Sequence, residues 1–201
     1  MDNNQFLSFD FERDLPFRLL VGDEVKQEFG KYPMDNSAAI TNKAEVFQGI
    51  VAYNRRNKHL LYSIPGLSYL VLYKWANGQF KLVWEKQLPG LEYRMDGNSL
   101  IVDKTTNYAP SAIALTKDYI VTVERDKETQ EVSFETDSDS PAKRRFTKTP
   151  QTLFVYDYNY ELQKIIHTQL PMFRIASDGS SNEIYFIAAH PDFCIAKCSI
   201  E

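Results

Sequence analysis

Leu70-Val-Leu-Tyr-Lys-Trp75, Ala76-Asn-Gly-Gln79 and Phe80-Lys-Leu-Val-Trp84 follow one another without a gap. The outer two pieces are short runs rich in β-branched and aromatic residues, the composition of strands. Between them, Asn-Gly accepts the two positive φ angles of a type I′ turn, which joins antiparallel strands in the tightest way. This stretch therefore predicts a β-hairpin.

Similar runs occur on both sides. Phe6-Leu-Ser-Phe-Asp-Phe11, His59-Leu-Leu-Tyr-Ser-Ile64, Tyr119-Ile-Val-Thr-Val123, Leu153-Phe-Val-Tyr156 and Glu183-Ile-Tyr-Phe-Ile187 all read as strands. Asp96-Gly-Asn98 and Ser177-Asp-Gly-Ser180 read as turns. Helical periodicity is scarce; the best stretch, Ile40 to Val51, could equally lead into a strand.

The runs recur in a fixed order. An apolar run, a polar turn and a run with an aromatic appear at Ile50 to Tyr62, Ala112 to Val121 and Ile175 to Tyr185. A second pattern follows each, at Leu70 to Phe80, Leu153 to Leu162 and, shortened, Phe193 to Cys198. Gln87-Leu-Pro89 and Gln169-Leu-Pro171 close two of the units. Four strands joined by turns and then repeated make a β-propeller blade. At roughly 40–50 residues per blade the chain holds about four blade-equivalents, the first partial (Phe6 to Phe29) and the last ending soon after its third strand. A β-sandwich uses similar strands but does not require this order. The expected fold is all-β: one domain over residues 1–201, a β-propeller-type repeat of about four four-stranded blades, with a polar insertion at 127–149.

Composition excludes several functions. Hydrophobic residues form 43% and charged residues 25% of the 201, ordinary for a folded chain. A net charge of −4 gives no basic footprint for nucleic acid. The longest apolar runs fall far short of the roughly 20 residues that cross a bilayer as a helix. The N-terminus lacks the charge and apolar core of a signal peptide. Cys194 and Cys198, four apart on one strand, should stand about 13 Å from each other, too far for a disulfide. Two small buried thiols are expected.

Chemistry-bearing residues are sparse. His59, His167 and His190 are widely spaced, without metal-ligand spacing. No Gly-rich phosphate loop or nucleophile motif occurs. No catalytic residue, metal ligand or cofactor is expected. The insertion is acidic from Glu124 to Asp139 and basic at Lys143-Arg-Arg145 and Lys148, which predicts a solvated, mobile loop. Within it, Asp137-Ser-Asp139 lacks the glycine and bidentate Glu of an EF-hand. The most pointed set is arginine: Leu15-Pro-Phe-Arg18, Leu88-Pro-Gly-Leu-Glu-Tyr-Arg94 and Leu170-Pro-Met-Phe-Arg174 share Leu-Pro, an aromatic and Arg. If Arg18, Arg94 and Arg174 faced a central channel, they would suit carboxylate or phosphate groups. The plainer reading is that each stem covers apolar surface while its head stays in water.

Phe29-Gly-Lys-Tyr-Pro33, Lys58-His-Leu-Leu-Tyr-Ser63, Leu153-Phe-Val-Tyr-Asp-Tyr158 and Ile184-Tyr-Phe-Ile187 with Pro191-Asp-Phe193 and Lys197 carry a resemblance. Over Phe29 to Glu201 the chain resembles the TolB-like six-bladed β-propeller proteins of Bacteroides-type bacteria, as their C-terminal half to two-thirds. The resemblance implies a binding or scaffold propeller of the cell envelope or periplasm, whose leader is missing from this sequence; otherwise the expected compartment is the cytoplasm. The alternatives are a propeller hydrolase or lactonase, or a truncated propeller without activity of its own. A protein or a small anionic ligand is the expected partner. About four blades are also expected either to self-associate through the terminal blades, with Phe6, Phe9 and Phe11 at one end and Phe193 and Ile195 at the other, or to close with irregular spacing.

Overall fold

The computed structural model describes residues 4–10, 13–34, 39–89, 92–102, 110–124, 149–189 and 192–201. Its strands form small antiparallel sheets in which neighbours are consecutive along the chain. β1 (Gln5–Phe9), β2 (Phe17–Val21) and β3 (Glu24–Phe29) make the first. β4 (Ile50–Asn54), β5 (His59–Ile64), β6 (Tyr69–Ala76) and β7 (Gln79–Gln87) make a four-stranded second. β8 (Tyr93–Asp96) and β9 (Ser99–Val102) pair as a hairpin. β10 (Ala112–Leu115), β11 (Ile120–Glu124), β12 (Thr152–Tyr156) and β13 (Leu162–His167) form another four-stranded sheet. β14 (Met172–Ala176), β15 (Glu183–Ala189) and β16 (Phe193–Ser199) form the last, of three. Repeated meanders of up to four strands are built as propeller blades are. The fold is all-β and propeller-type, as the recurring patterns predict.

The ambiguous stretch from Ile40 resolves into helix α1, only Lys43–Val46, followed by β4. Asn77 (φ 53°) and Gly78 (φ 80°) both take the positive angles expected between β6 and β7. The polar insertion at 127–149, with Asp137, Asp139 and Lys143 to Lys148, lies outside the described residues except for Thr149. So do Phe11 and His190.

The chain divides into two compact units, Met1–Val51 with Lys58–Ala109, and Ala52–Asn57 with Pro110–Glu201. The first has an aromatic core. Phe17 on β2 is fully buried and its ring lies 5.0 to 5.2 Å from those of Phe9, Phe29 and Tyr62. Phe29 stacks on Phe80 at 4.9 Å. Such pairs add about 0.5–1.5 kcal/mol each beyond the area they bury. Amide side chains fasten neighbouring elements. Gln27 donates to the Phe80 carbonyl (2.8 Å) and accepts from its N–H (2.7 Å). Asn42 does the same for Leu100, at 3.0 and 2.9 Å. Each amide satisfies a strand's backbone as a neighbouring strand would.

The second unit is aliphatic at its centre. Val121 and Val123 of β11 and Leu153 and Val155 of β12 meet Met172, Ile184, Phe186 and Ala188 of the last sheet. Strand alternation sends the intervening residues to the opposite face. There Thr122 and Tyr156 both donate to Glu124 Oε1, at 2.6 and 3.1 Å, and Thr152 Oγ1 lies 3.0 Å from His167 Nδ1. Burial pushes the Glu124 carboxyl above its ordinary range, against the two hydroxyl bonds that favour the charged form.

The thiols depart from expectation. Both are free and on one strand, as predicted, yet Cys194 is exposed and Cys198 half-buried. β16 is the edge strand of its sheet, so Cys194, although on its core-facing side, has no further strand over it among the described residues.

Candidate functional site

Turns fix the geometry of the second unit. The β4–β5 turn begins at Asn54, which is 2% exposed. Its Oδ1 accepts from the backbone N–H groups of Arg56 (2.9 Å) and Asn57 (3.3 Å), so the side chain shapes its own turn. Its Nδ2 donates to the carbonyls of Thr116 (2.8 Å) and Gly179 (3.2 Å). All four of the amide's hydrogen-bonding positions are used. Thr116 belongs to the β10–β11 turn and Gly179 to the β14–β15 turn. Three turns of the second unit therefore meet on one asparagine.

Other contacts tighten the junction. Tyr158, in the β12–β13 turn, donates to the Thr116 carbonyl at 2.7 Å and accepts from Asn57 Nδ2 at 2.6 Å. Burial raises its phenol above the ordinary range. Lys117 N–H donates to the Ser181 carbonyl, 2.9 Å. Asn182 accepts from the Asp118 N–H (3.0 Å) and donates to the Asp118 carboxylate (3.0 Å). Gly179 holds φ +70°, and a Cβ there would come within 2.6 Å of the Asn54 amide. Only glycine lets the backbone approach so closely at that angle.

Charged side chains surround this fixed centre. Arg55, Arg56, Lys117, Asp118 and Asp178 are exposed. The Asp178 carboxylate caps its own turn through Ser180, bonds that hold it below the usual carboxylate range. The arrangement presents both signs of charge on turns that cannot easily shift. It contains no nucleophile hydrogen-bonded to a base. Among the described residues, no three of His, Cys, Asp and Glu are grouped as metal ligands, and no helix is long and apolar enough to cross a membrane.

The three arginines occupy different settings. Arg18 is on the central strand of the first sheet, with Nε 2.9 Å from the carboxylate of its cross-strand neighbour Glu28. Arg13 also reaches that oxygen, at 3.4 Å. Arg94 is exposed on the β8–β9 hairpin, in the same unit. Arg174, in the second unit, is exposed on β14 and donates to the Phe173 carbonyl at 2.8 Å. Of the histidines, His59 lies on β5 and His167 ends β13.

Asn54, Thr116, Tyr158 and Gly179 were not singled out as site residues. The signal for Asn54, Thr116 and Gly179 is the polar turn of the recurring first pattern, and that for Tyr158 lies in the second, at Leu153 to Leu162.

No family model matches the chain, and no curated protein matches it. Among solved structures, the chain is similar to the β-propeller domain of Cps50 (Swd1) from Myceliophteria thermophila. The identity there is 10% and the TM-score 0.41, covering 100% of this chain and 68% of that one. It is also similar to the WD40 domain of Neurospora crassa Pan2, at 11% identity and a TM-score of 0.29, covering 72% of this chain and 44% of that one.

Proposed function

We propose that this chain is a non-catalytic binding module that offers the turn cluster around Asn54 to a protein partner. The observation that carries the reading is the single buried amide holding three turns at once. Ordering a loop on binding costs free energy, and turns already fixed avoid that cost. The exposed rim of Arg55, Arg56, Lys117, Asp118 and Asp178 is the mixed, polar surface on which charge pairing selects a partner. Arg18, Arg94 and Arg174 are proposed as contacts for acidic groups, small anions included, Arg18 only by exchanging its Glu28 partner. The resemblance to TolB-like six-bladed propellers supports a place in the cell envelope.

Two experiments test the reading. A photo-crosslinking residue at position 118 should give a discrete protein adduct in cells of the source organism. The same residue at exposed Lys81 should not, and Asn54→Ala should abolish the adduct. Equal labelling from both positions would overturn the proposal. The rival enzyme reading predicts bound divalent metal and saturable hydrolysis of a simple lactone or aryl ester by the purified protein; finding both would displace the binding module.

A further inference from the structure

We infer that the segment docking on the turn cluster carries a pair of closely spaced carboxylates, and that Arg55 is the side chain that selects it. The inference rests on the protein-docking role proposed for these turns and names the chemistry of what docks. The first ground is where the negative charges of the rim are engaged. The Asp178 carboxylate accepts from the Ser180 N–H (2.8 Å), the Ser180 hydroxyl and the Ser181 N–H (3.4 Å), all within its own turn. The Asp118 carboxylate accepts from Asn182 Nδ2 at 3.0 Å and lies 4.0 Å from Nζ of its sequence neighbour Lys117. Both acids are exposed, yet both help to shape the turns that carry them. The cations differ from one another. Lys117 has Asp118 beside it, and the Arg56 charge adds to the Ser180 bonds in holding Asp178 below the usual carboxylate range. Arg55 has no carboxylate within ion-pair distance among the described residues.

The sign of the patch runs against that of the chain. Arg55, Arg56 and Lys117 outnumber Asp118 and Asp178, whereas the chain as a whole carries a net charge of −4. An acidic segment is therefore drawn to this rim by a local excess that the chain's overall charge opposes, and local complementarity is what charge contributes to partner choice. The second ground is that the backbones bearing these cations are fixed. The N–H groups of Arg56 and Asn57 are held by Asn54 Oδ1 at 2.9 and 3.3 Å. Lys117 N–H is held by the Ser181 carbonyl, 2.9 Å, and the Lys117 carbonyl accepts from Asn57 Nδ2 at 3.4 Å. The Arg55-Arg56 turn and the Lys117 turn are thus bonded directly to each other. A guanidinium grips one carboxylate through two parallel N–H bonds, and an ammonium attracts a second as a point charge. A long acidic run would also meet Asp118 and Asp178, and like charges brought together discriminate against it. A pair of carboxylates fits and a run does not.

The test uses the full chain and a fluorescein-labelled glycine peptide with two adjacent glutamates at its centre, read by anisotropy. The peptide should bind, more weakly as salt is raised, and the same peptide with two lysines should not. Arg55→Glu should weaken binding about tenfold, and Arg55→Gln, which removes the charge without reversing it, about threefold. Lys81→Glu changes the net charge as much as Arg55→Glu does, on an exposed residue of the first unit, and should leave binding unchanged. Because Arg55 is exposed, neither of its variants should move the urea midpoint. In cells, Arg55→Glu should remove the adduct formed from position 118. A glutamate peptide that does not bind, a loss on Lys81→Glu equal to that on Arg55→Glu, or an adduct that survives Arg55→Glu would overturn the inference. Failure of the docking role itself looks different: the chain with Arg55 intact then gives no discrete adduct from position 118.

Discussion

At the scale of single residues, Asn54 and Gly179 make an unusually clean pair. Removing the amide leaves the Thr116 carbonyl with Tyr158 and the Gly179 carbonyl without the bond from Asn54. A buried polar group deprived of its partner costs about 1–3 kcal/mol, so Asn54→Ala should lower unfolding free energy by about 2 kcal/mol in urea titrations. Gly179→Ala should cost at least as much, because the new methyl meets the Asn54 side chain and φ is positive. The double variant should cost less than the sum, because alanine at 54 vacates the space that the methyl needs. Strict additivity would mean that the two side chains do not meet. His59 gives a pH dependence. Burial, helped by Lys74 across the strand pair, lowers it from 6.5 to about 4. Below about pH 6.5 the unfolded chain takes up a proton that the folded chain refuses until about pH 4. Stability from this group is therefore complete above 6.5 and declines as the pH falls toward 4. His59→Gln should flatten the difference in urea midpoint between pH 7 and pH 5.

Among elements, those that follow from local chemistry were legible in the sequence. Asn77-Gly78 lies where strand signals stop on either side, and its two positive φ angles need nothing from the rest of the chain. A Cβ at Gly78 would meet nothing within 4 Å. Gly78→Ala should therefore cost only the left-handed backbone penalty, about 1–2 kcal/mol, and show no coupling to Asn54→Ala. The turn cluster was not legible, for a physical reason. Asn, Thr and Gly at a turn look alike whether they face water or a carbonyl 62 or 125 residues away. The Leu-Pro…Arg recurrence marks passages between strands, yet its arginines stand on a central strand, a hairpin and an edge. A local motif does not encode which neighbours a strand acquires. β16 makes the same point: alternation placed both cysteines on one side, but the exposure of Cys194 depends on which strands flank β16, and among the described residues only β15 does. A thiol reagent should modify Cys194 rapidly and Cys198 slowly, since burial also raises the Cys198 thiol above its ordinary value; equal rates would contradict the placement.

Over the whole molecule, strands dominate and α1 is four residues long. Far-ultraviolet circular dichroism should show a strand spectrum; a helical share near the one-third common in globular proteins would be incompatible with this fold. The junction on Asn54 has a further consequence, which concerns time. Its partner Gly179 is made 125 residues later, and long-range closures of this kind form late in folding. Chains emerge N-terminus first, so the proposed docking surface does not exist while the first sheets are being made. A partner that recognises these turns reads whether synthesis has passed Asn182: a chain stopped at His167 carries Asn54 and Thr116 but lacks Gly179 and Asn182, and should give no adduct from position 118. Binding would then sort chains made past Asn182 from those interrupted before it.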